Sequence, residues 1–414
     1  MKIHRAYKTE LKLNNKQRTA CLQHAGASRF AYNWGLQRKQ EVFMMNTLPV
    51  PHIVDPSAID LHKELVILKK TDYPWMYEVS KCAPQEALRN LDKAYKNFFK
   101  GNAKFPKFKS KKNSINSFHL MGVINVFDNT IQLPRLGKLR LKEKEYIPTD
   151  EHILSATVSE KAGRWFVSVL VEEDIEVPEN SSSIVGVDLG IKTMAYISDG
   201  TKFENPKALK KFERKLAREQ RRLSKKKKGS MNRKKQKLIV AKVHRRIANI
   251  RKDAIHKATT WLAKNKSVIC IEDLNVSGML KNRHLSKSLS DVGMGMFRSH
   301  LLYKTDWYGS RVTIADRFFP STKRCSQCGH INTALPLSQR TFVCENCRFT
   351  LDRDLNASLN LEQLAVSSTE SEKTPVGEGS SDFPKVKLPS MNQELNTGLI
   401  NSPYKFQRNG DPRS

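Results

Sequence analysis

The chain has 414 residues, with 73 Lys and Arg against 41 Asp and Glu, a formal net charge of +32 and a pI near 9.9. A chain this basic repels itself until a polyanion neutralises it, and phosphate neutralisation releases counterions, so nucleic acid is the expected partner. A membrane is excluded as the partner by the lack of any apolar run near the roughly 18–20 residues that a spanning helix needs. No signal-peptide pattern opens the sequence, and seven cysteines, four of them in paired motifs, do not resemble a disulfide framework; a reducing cytoplasm is the expected compartment.

The first dozen residues, KIHRAYKTELKL, alternate as a strand. From Asn15 to about Phe99 the apolar period becomes helical, as in NKQRTACLQHAGASRFAYNWGLQRKQEVF and APQEALRNLDKAYKNFF, with Pro84 unusual inside the second of these. Phe30, Tyr32 and Trp34 read as helix core rather than base-stacking platforms. Gly101 and Pro106 break the pattern, and FPKFKSKK forms a basic connector. Strands return from Phe118 to about Val177: VINVFDNTIQL, GKLRLK, ILSATVSE and RWFVSVLVEE, the last two forming a hairpin that turns at Ala162-Gly163. The opening strand needs partners and is expected to join this later sheet, which makes the helical block an insertion. A Glu-Asn-Ser-Ser-Ser linker at Glu179–Ser183 closes this half.

The second half opens with IVGVDLGIKTMAYISDG, two strands around a tight turn. Between Lys207 and Asp253 lie about twenty basic residues against two Glu, and KKKKGSMNRKK marks the loop between two antiparallel helices. Self-repulsion makes such a hairpin unfavourable without phosphates nearby, so Lys225, Lys226, Lys227, Lys228 and Arg233 are candidate nucleic-acid contacts. Strand SVICIEDL, helix MGMFRSHLLYKTDWYG, strand RVTIADRFF, a cysteine module and helix DLNASLNLEQLA follow. After about Val366 the composition turns to Ser, Thr, Glu, Gly and Pro with few large apolar residues, which predicts a disordered tail.

Cys325, Cys328, Cys344 and Cys347 form two Cys-x-x-Cys pairs separated by fifteen residues. Four thiolates at this spacing can close a tetrahedral structural zinc site, with Gly329 easing the first turn and His330 left outside the shell. Cys21, Cys82 and Cys270 read as small core residues, and His256 as a structural histidine. Three acids stand out of character. Asp188 lies on the apolar strand VGVDLG, Glu272 ends the apolar strand VICIEDL, and Asp354 opens the last helix, where Asp352 competes with it for the same role. Converging acids repel each other and hold their protons unless divalent cations occupy the space between them. Hard oxygen donors suit Mg²⁺ or Mn²⁺, and two such ions about 3.5–4 Å apart activate water and stabilise the leaving oxygen of a phosphodiester.

The motifs GVDLGIK, IEDLN, FPSTKRCSQCG, CENC and DRDLNASLNL, with FAYNWGL, NLDKAYKNFFKG and FPKFKSKK upstream, resemble the TnpB (OrfB) proteins of insertion sequences, relatives of the type V CRISPR effectors. The resemblance runs from Met1 to about Leu364. It implies an α/β fold: an RNase H-like (RuvC) nuclease domain with an inserted zinc ribbon, preceded by a wedge-like β-barrel that carries an inserted α-helical recognition domain. The implied boundaries are 1–13 and 116–180 for the barrel and 14–115 for the recognition helices. The nuclease domain takes 181–320 and 351–365, with the basic hairpin at 207–253 and the ribbon at 321–350; the tail is 366–414. The family's acids fall on Asp188, Glu272 and Asp354, which decides against Asp352. The implied activity is RNA-guided DNA cleavage beside a short element-specific motif, with Mg²⁺ or Mn²⁺ and one Zn²⁺ as metals. A guide RNA, double-stranded target DNA and a transposase of the same element are the implied partners. Within the family's corresponding helix, Lys81 and Gln85 lie one turn apart and are candidates to face that motif. Ser358 and Leu355 depart from the residues common in relatives. Two other readings belong to different classes: a nuclease-inactive RNA-guided repressor, which would have lost acids that this chain keeps, and a transposase, whose acids usually run Asp, Asp, Glu rather than Asp, Glu, Asp.

Overall fold

In the computed structural model, which describes residues 1–49, 53–112, 115–336 and 339–373, the first strand finds its partner at the far side of the helical block. This strand, β1 (Lys2–Lys12), is followed by α1 (Asn15–Met45), α2 (Ala58–Thr71) and α3 (Cys82–Phe99). Then come β2 (Ser117–Leu120), β3 (Asn125–Phe127), β4 (Thr130–Leu133), β5 (Gly137–Leu141), β6 (His152–Lys161) and β7 (Arg164–Asp174). β1 pairs antiparallel with β7 from Lys2↔Asp174 to Leu11↔Trp165, so the chain ends of the helical block return to one sheet. The sheet order is β2-β6-β7-β1-β5-β4-β3.

That order is an open row, where a barrel was expected, because β2 and β3 do not pair. Even so, Phe118, Val126, Ile131, Leu139, Val158 and Val169, drawn from six strands, meet in one apolar cluster with Leu11 of β1, so the sheet curls around a single core. The stretch expected as one strand, 123–133, is two: Phe127 pairs with Thr130 across Asp128-Asn129, residues that favour turns. The β6–β7 hairpin turns at Ala162-Gly163, both at positive φ (53° and 76°), the arrangement that matches strand twist in a two-residue turn. Asn14 caps α1 through a reciprocal capping box with Gln17. The three helices share a core of Leu36, Leu61, Leu65, Leu88 and Leu91 with Tyr32, and Phe30 and Trp34 pack against it. Pro84 is the third residue of α3, inside the first turn, where a missing N–H costs no intrahelical bond.

The second half runs β8 (Ile184–Asp188), β9 (Thr193–Ile197), β10 (Lys202–Glu204), α4 (Ala208–Ser224), α5 (Met231–Asn265), β11 (Val268–Glu272), α6 (Val276–Met279), α7 (Ser286–Val292), α8 (Met294–Tyr308), β12 (Arg311–Ala315), β13 (Thr341–Val343), β14 (Thr350–Asp352) and α9 (Arg353–Lys373). Its main sheet has the order β10-β9-β8-β11-β12, with β8, β11 and β12 parallel. One face is covered by α5 and α8 through Ile255, Leu262, Phe297 and Leu301 against Ile269 and Ile271. α9 covers the other, through Leu361 and Ala365 against Val268 and Cys270. β13 and β14 form a separate two-stranded ribbon that feeds directly into α9.

The first residues of the stretch expected to be disordered are helical. α9 continues past Val366 to Lys373, and hydroxyls of Ser368 and Thr369 bond back to the carbonyls of Leu364 and Val366, which lets a polar run stay helical. Residues 374–414 lie outside the described residues.

α9 can lie on β8 only because position 186 has no side chain. A Cβ on Gly186 would stand 2.0 Å from the carbonyl oxygen of Ser358 and 2.5 Å from the amide nitrogen of Glu362, both backbone atoms. Ser358, fully buried and small, completes the close approach. Gly186→Ala is therefore expected to cost about 3 kcal/mol or more, the upper range of overpacking, measured as a fall in thermal midpoint accompanied by faster proteolysis after α9.

Candidate active site and metal centre

Parallel pairing puts two acids side by side. Val187 lies opposite Ile271 in the β8–β11 ladder, so Asp188 and Glu272, one residue further on, both leave the carboxyl ends of adjacent strands. α9 crosses the same end because it rests on Gly186, which brings Asp354 of its first turn alongside. The outcome is visible in Asp188: burial, then the charge of Glu272, then that of Asp354 push its carboxyl up to about 8. Glu272 accepts a hydrogen bond from the Ser321 hydroxyl. Arg340 and Arg353 stand 3.9 and 3.7 Å from Asp354 Oδ1, two cations that sequence reasoning missed because one comes from the ribbon and only folding brings it here.

Asp352 does other work. Its Oδ1 accepts the backbone N–H groups of Asp354 and Leu355 at 3.0 and 3.2 Å, which makes it the N-cap of α9. Asp273, next to Glu272, is bound between Arg298 (2.6 Å) and Arg317 (2.5 Å), and these bonds hold its carboxyl below the usual range. The three remaining acids offer a hard-oxygen donor set whose mutual repulsion a divalent cation would relieve, and in that respect they fit one. Their oxygens do not close to the 4.8 Å mutual spacing found among the cysteines.

The four cysteines do converge. Among the described residues they are the one group of three or more ligating side chains whose donor atoms all lie within 4.8 Å of each other. Cys325 Sγ lies 3.7 Å from Cys347 Sγ, and Cys328 Sγ lies 3.6 Å from Cys344 Sγ. A zinc–sulfur bond of about 2.3 Å gives a tetrahedral edge of about 3.8 Å, so the residues fit Zn²⁺. The two knuckles are built alike. Gly329 N–H bonds Cys325 O and Arg348 N–H bonds Cys344 O, and Gly329 and Arg348 both take positive φ, 75° and 60°. The backbone N–H of His330, with the neighbouring sulfurs, holds Cys328 down to about 6. Although the Phe349 N–H favours its thiolate, partial desolvation and the other three sulfurs push Cys347 up to about 12. His330 stays outside the group, 3.9 Å from Glu345. Cys21 and Cys270 are buried and Cys82 is half-buried.

Ribbon and helix are locked together by side chains that the sequence did not flag. Asn356, one turn into α9, donates to Arg324 O (2.7 Å) and accepts from Ser326 N–H (3.0 Å). Asn360, the next turn, donates to Ser321 O (2.8 Å) and Arg324 O (2.7 Å). Both are buried, so the segment entering the first knuckle is stitched to the helix that carries Asp354.

The nucleic-acid candidates are scattered. Lys225–Lys228 sit exposed in the α4–α5 turn. Arg233, expected beside them as a contact, also serves the turn: its Nη1 donates to Leu223 O (2.6 Å) and Lys226 O (3.0 Å), satisfying carbonyls at and just past the end of α4. Lys81 is exposed at the start of α3 and Gln85 is half-buried one turn on. His256 packs against His300 (4.2 Å between ring centres), and burial brings it down to about 4, in keeping with a structural residue.

Two measurements check this geometry. A carboxyl raised in the folded state binds its proton more tightly than in the unfolded chain, so its contribution to stability is present at low pH and is lost as pH rises from about 4 through about 8. In metal-free protein, Asp188→Asn is expected to raise the thermal midpoint at pH 8 by roughly 2–4 °C, the response to about 1 kcal/mol, with a smaller gain at pH 5. Cys344→Ser is expected to release the zinc, measured as a fall from one zinc per chain to none, and to lower the thermal midpoint by several degrees; retention of one zinc refutes the four-thiolate centre.

Three family models match the chain: "Probable transposase" of the OrfB type over residues 156–283, the TNB domain of Cas12f1-like proteins over 295–361, and a helix-turn-helix domain over 1–46. A Streptomyces pristinaespiralis protein named "Putative RNA-guided DNA endonuclease" is 34% identical over 362 residues, 87% of this chain and 89% of its own length. The InsQ protein of Escherichia coli K12, which carries the same description, is also 34% identical, over 87% of this chain and 92% of its own. Among solved structures, a Cas12f1–guide RNA–target DNA complex matches with a TM-score of 0.54 at 14% identity, covering 87% of this chain and 99% of that one, a likeness of fold.

Proposed function

The chain belongs to the TnpB (OrfB) family of insertion-sequence proteins, and from that membership we propose that it is an RNA-guided DNA endonuclease that cuts target DNA beside a short element-specific motif, with Asp188, Glu272 and Asp354 as its catalytic carboxylates. The observation that carries this reading is the raised carboxyl of Asp188, pressed by two other acids brought from distant parts of the chain. No structural need explains such crowding, and it costs stability. Perturbed acids gathered at the carboxyl ends of parallel strands mark a site.

Asp188, Glu272 and Asp354 would hold Mg²⁺ or Mn²⁺, which when bound supplies an activated water and stabilises the leaving oxygen of the phosphodiester. The protein's own part is to fix these oxygens. Ser321 orients Glu272, Asp352 anchors the helix that presents Asp354, and Arg340 and Arg353 offset negative charge at the point where a phosphate must enter. The mixed sheet covered on both faces supports an RNase H-like (RuvC) assignment for 181–320 and 351–365, with the zinc ribbon at 321–350 between them. Residues 1–13 and 116–180 would then be the wedge-like sheet and 14–115 the recognition helices. Lys225–Lys228 suit the phosphates of the guide RNA or its duplex with DNA, and Lys81 and Gln85 the target duplex.

The repressor reading requires loss of an acid, and all three are present. Protein purified with its RNA is expected to cut matched, motif-flanked duplex DNA in Mg²⁺, and Asp188→Ala to bind the same DNA while cutting roughly 10³-fold slower or worse. A wild-type complex that binds its target and never cuts it refutes the enzyme.

A further inference from the structure

Beside the acids, at the carboxyl ends of β11 and β12, a groove of about 440 Å³ opens between α8 and the loop that follows β12. Phe318 stands on its rim, 87% exposed. A lone exposed aromatic is ordinary on a protein surface. This one differs in how it is held. Its backbone N–H is bonded to the Asp316 carboxylate (2.8 Å), and Phe319 N–H bonds Asp316 O (3.0 Å). On the far side the loop is pinned twice: Phe319 packs under α9, and Ser321 bonds Glu272 while Asn360 holds the Ser321 carbonyl. The loop is therefore rigid on both sides of a ring that it keeps out of the core.

The wall of the groove is polar and carries two guanidinium groups. Arg298 from α8 and Arg317 from the loop share one acid, Asp273, which holds both guanidinium groups in place, while the second acid of the lining, Asp316, is turned to the Phe318 N–H. Asp273 follows Glu272 directly in the chain, so this wall starts from the same carboxyl end of β11 that carries Glu272. A rigid aromatic face beside ordered guanidinium groups is the pairing that binds an unpaired base together with its phosphate.

We propose that Phe318, with Arg298 and Arg317, is a stacking platform for one unpaired base of the DNA strand presented to the acids, and that it sets the position of the scissile phosphate. This rests on the nuclease reading. Phe318 is a positioning residue: it touches no reacting atom and acts by fixing the register of the strand at Asp188, Glu272 and Asp354.

The test uses the full chain with its co-purified RNA and matched target duplex. Phe318→Ala is expected to cut roughly 5- to 150-fold slower, the worth of one stacked base, at unchanged target binding and thermal midpoint. Phe318→Tyr restores cutting and Phe318→Leu, equally apolar but not planar, does not. Cutting by Phe318→Ala at the wild-type rate, or equal rescue by Leu, overturns the platform. A second arm needs no cleavage. In the Asp188→Asn background, target DNAs with 2-aminopurine at successive positions are expected to show one position whose quenching disappears on adding Phe318→Ala. Absence of any such position overturns the proposal, and a position found only when the probe is placed in the guide RNA overturns its assignment to DNA. If wild type never cuts, the nuclease reading fails by itself, and the fluorescence still decides the platform.

Discussion

The contact between Gly186 and the backbone of α9 is the constraint on which the rest of the site depends. Helices normally rest on sheets at a distance set by their side chains; here the Ser358 carbonyl would lie 2.0 Å from any Cβ at position 186. That approach does two things at once. It buries Leu361 and Ala365 against Val268 and Cys270, and it swings the first turn of α9 over the end of β8, two residues beyond the contact, where Asp188 emerges. The apolar burial on both faces of the sheet supplies the stability that the crowded carboxylates spend. A site of this kind is locally unfavourable by construction, and only a scaffold that over-determines its geometry keeps it.

The ribbon extends that logic. Four thiolates suit a soft metal, and the three carboxylates, in the proposed reading, would suit a hard one, so the two sites would not compete for the same ion. The two are nonetheless mechanically joined. Asn356 and Asn360 hold the strand that enters the first knuckle, and β14 runs without a break into the N-cap of α9. Arg340, carried on the ribbon side, reaches toward Asp354. Loss of the thiolate centre is therefore expected to loosen the anchor of Asp354.

Much of this was legible in the residues, and what was not has a physical cause. Asp188 and Glu272 stand out because an acid on an apolar strand is out of character, and the parallel register then sets the two side by side. The thiolate quartet is legible because its ligands are close in sequence as well as in space. Asp352 and Asp354 cannot be separated by spacing, since both lie within reach of a helix start; the difference is that one spends its oxygen on the N–H groups of the first turn. Arg233 looks like its basic neighbours in sequence, yet it faces the carbonyls left open by the end of α4. The open edge between β2 and β3, the Asn clamp and the Arg340–Asp354 approach all join residues far apart in the chain, where periodicity carries no signal. The composition of 366–373 reads as disorder because propensity alone counts hydroxyl residues as weak helix formers, whereas here a helix already nucleated on the sheet extends through them.

Charge completes the logic of the site. Asp188, Glu272 and Asp354 would repel a phosphate diester as surely as they repel one another. The net charge of +32 brings a polyanion to the surface without deciding where on that surface it settles. Short-range order must then overcome the local repulsion, and the structure supplies it close by: Arg340 and Arg353 at Asp354, and Arg298 and Arg317 tied to Asp273 next to Glu272. Because these cations are held by ion pairs and by secondary structure, they would pay less side-chain entropy on binding a strand than the exposed lysines of the α4–α5 turn. In the proposed reading the lysines would raise the rate of encounter and the arginines would help set the register, a division that follows from the rigid, forked geometry of guanidinium against the point charge of an ammonium.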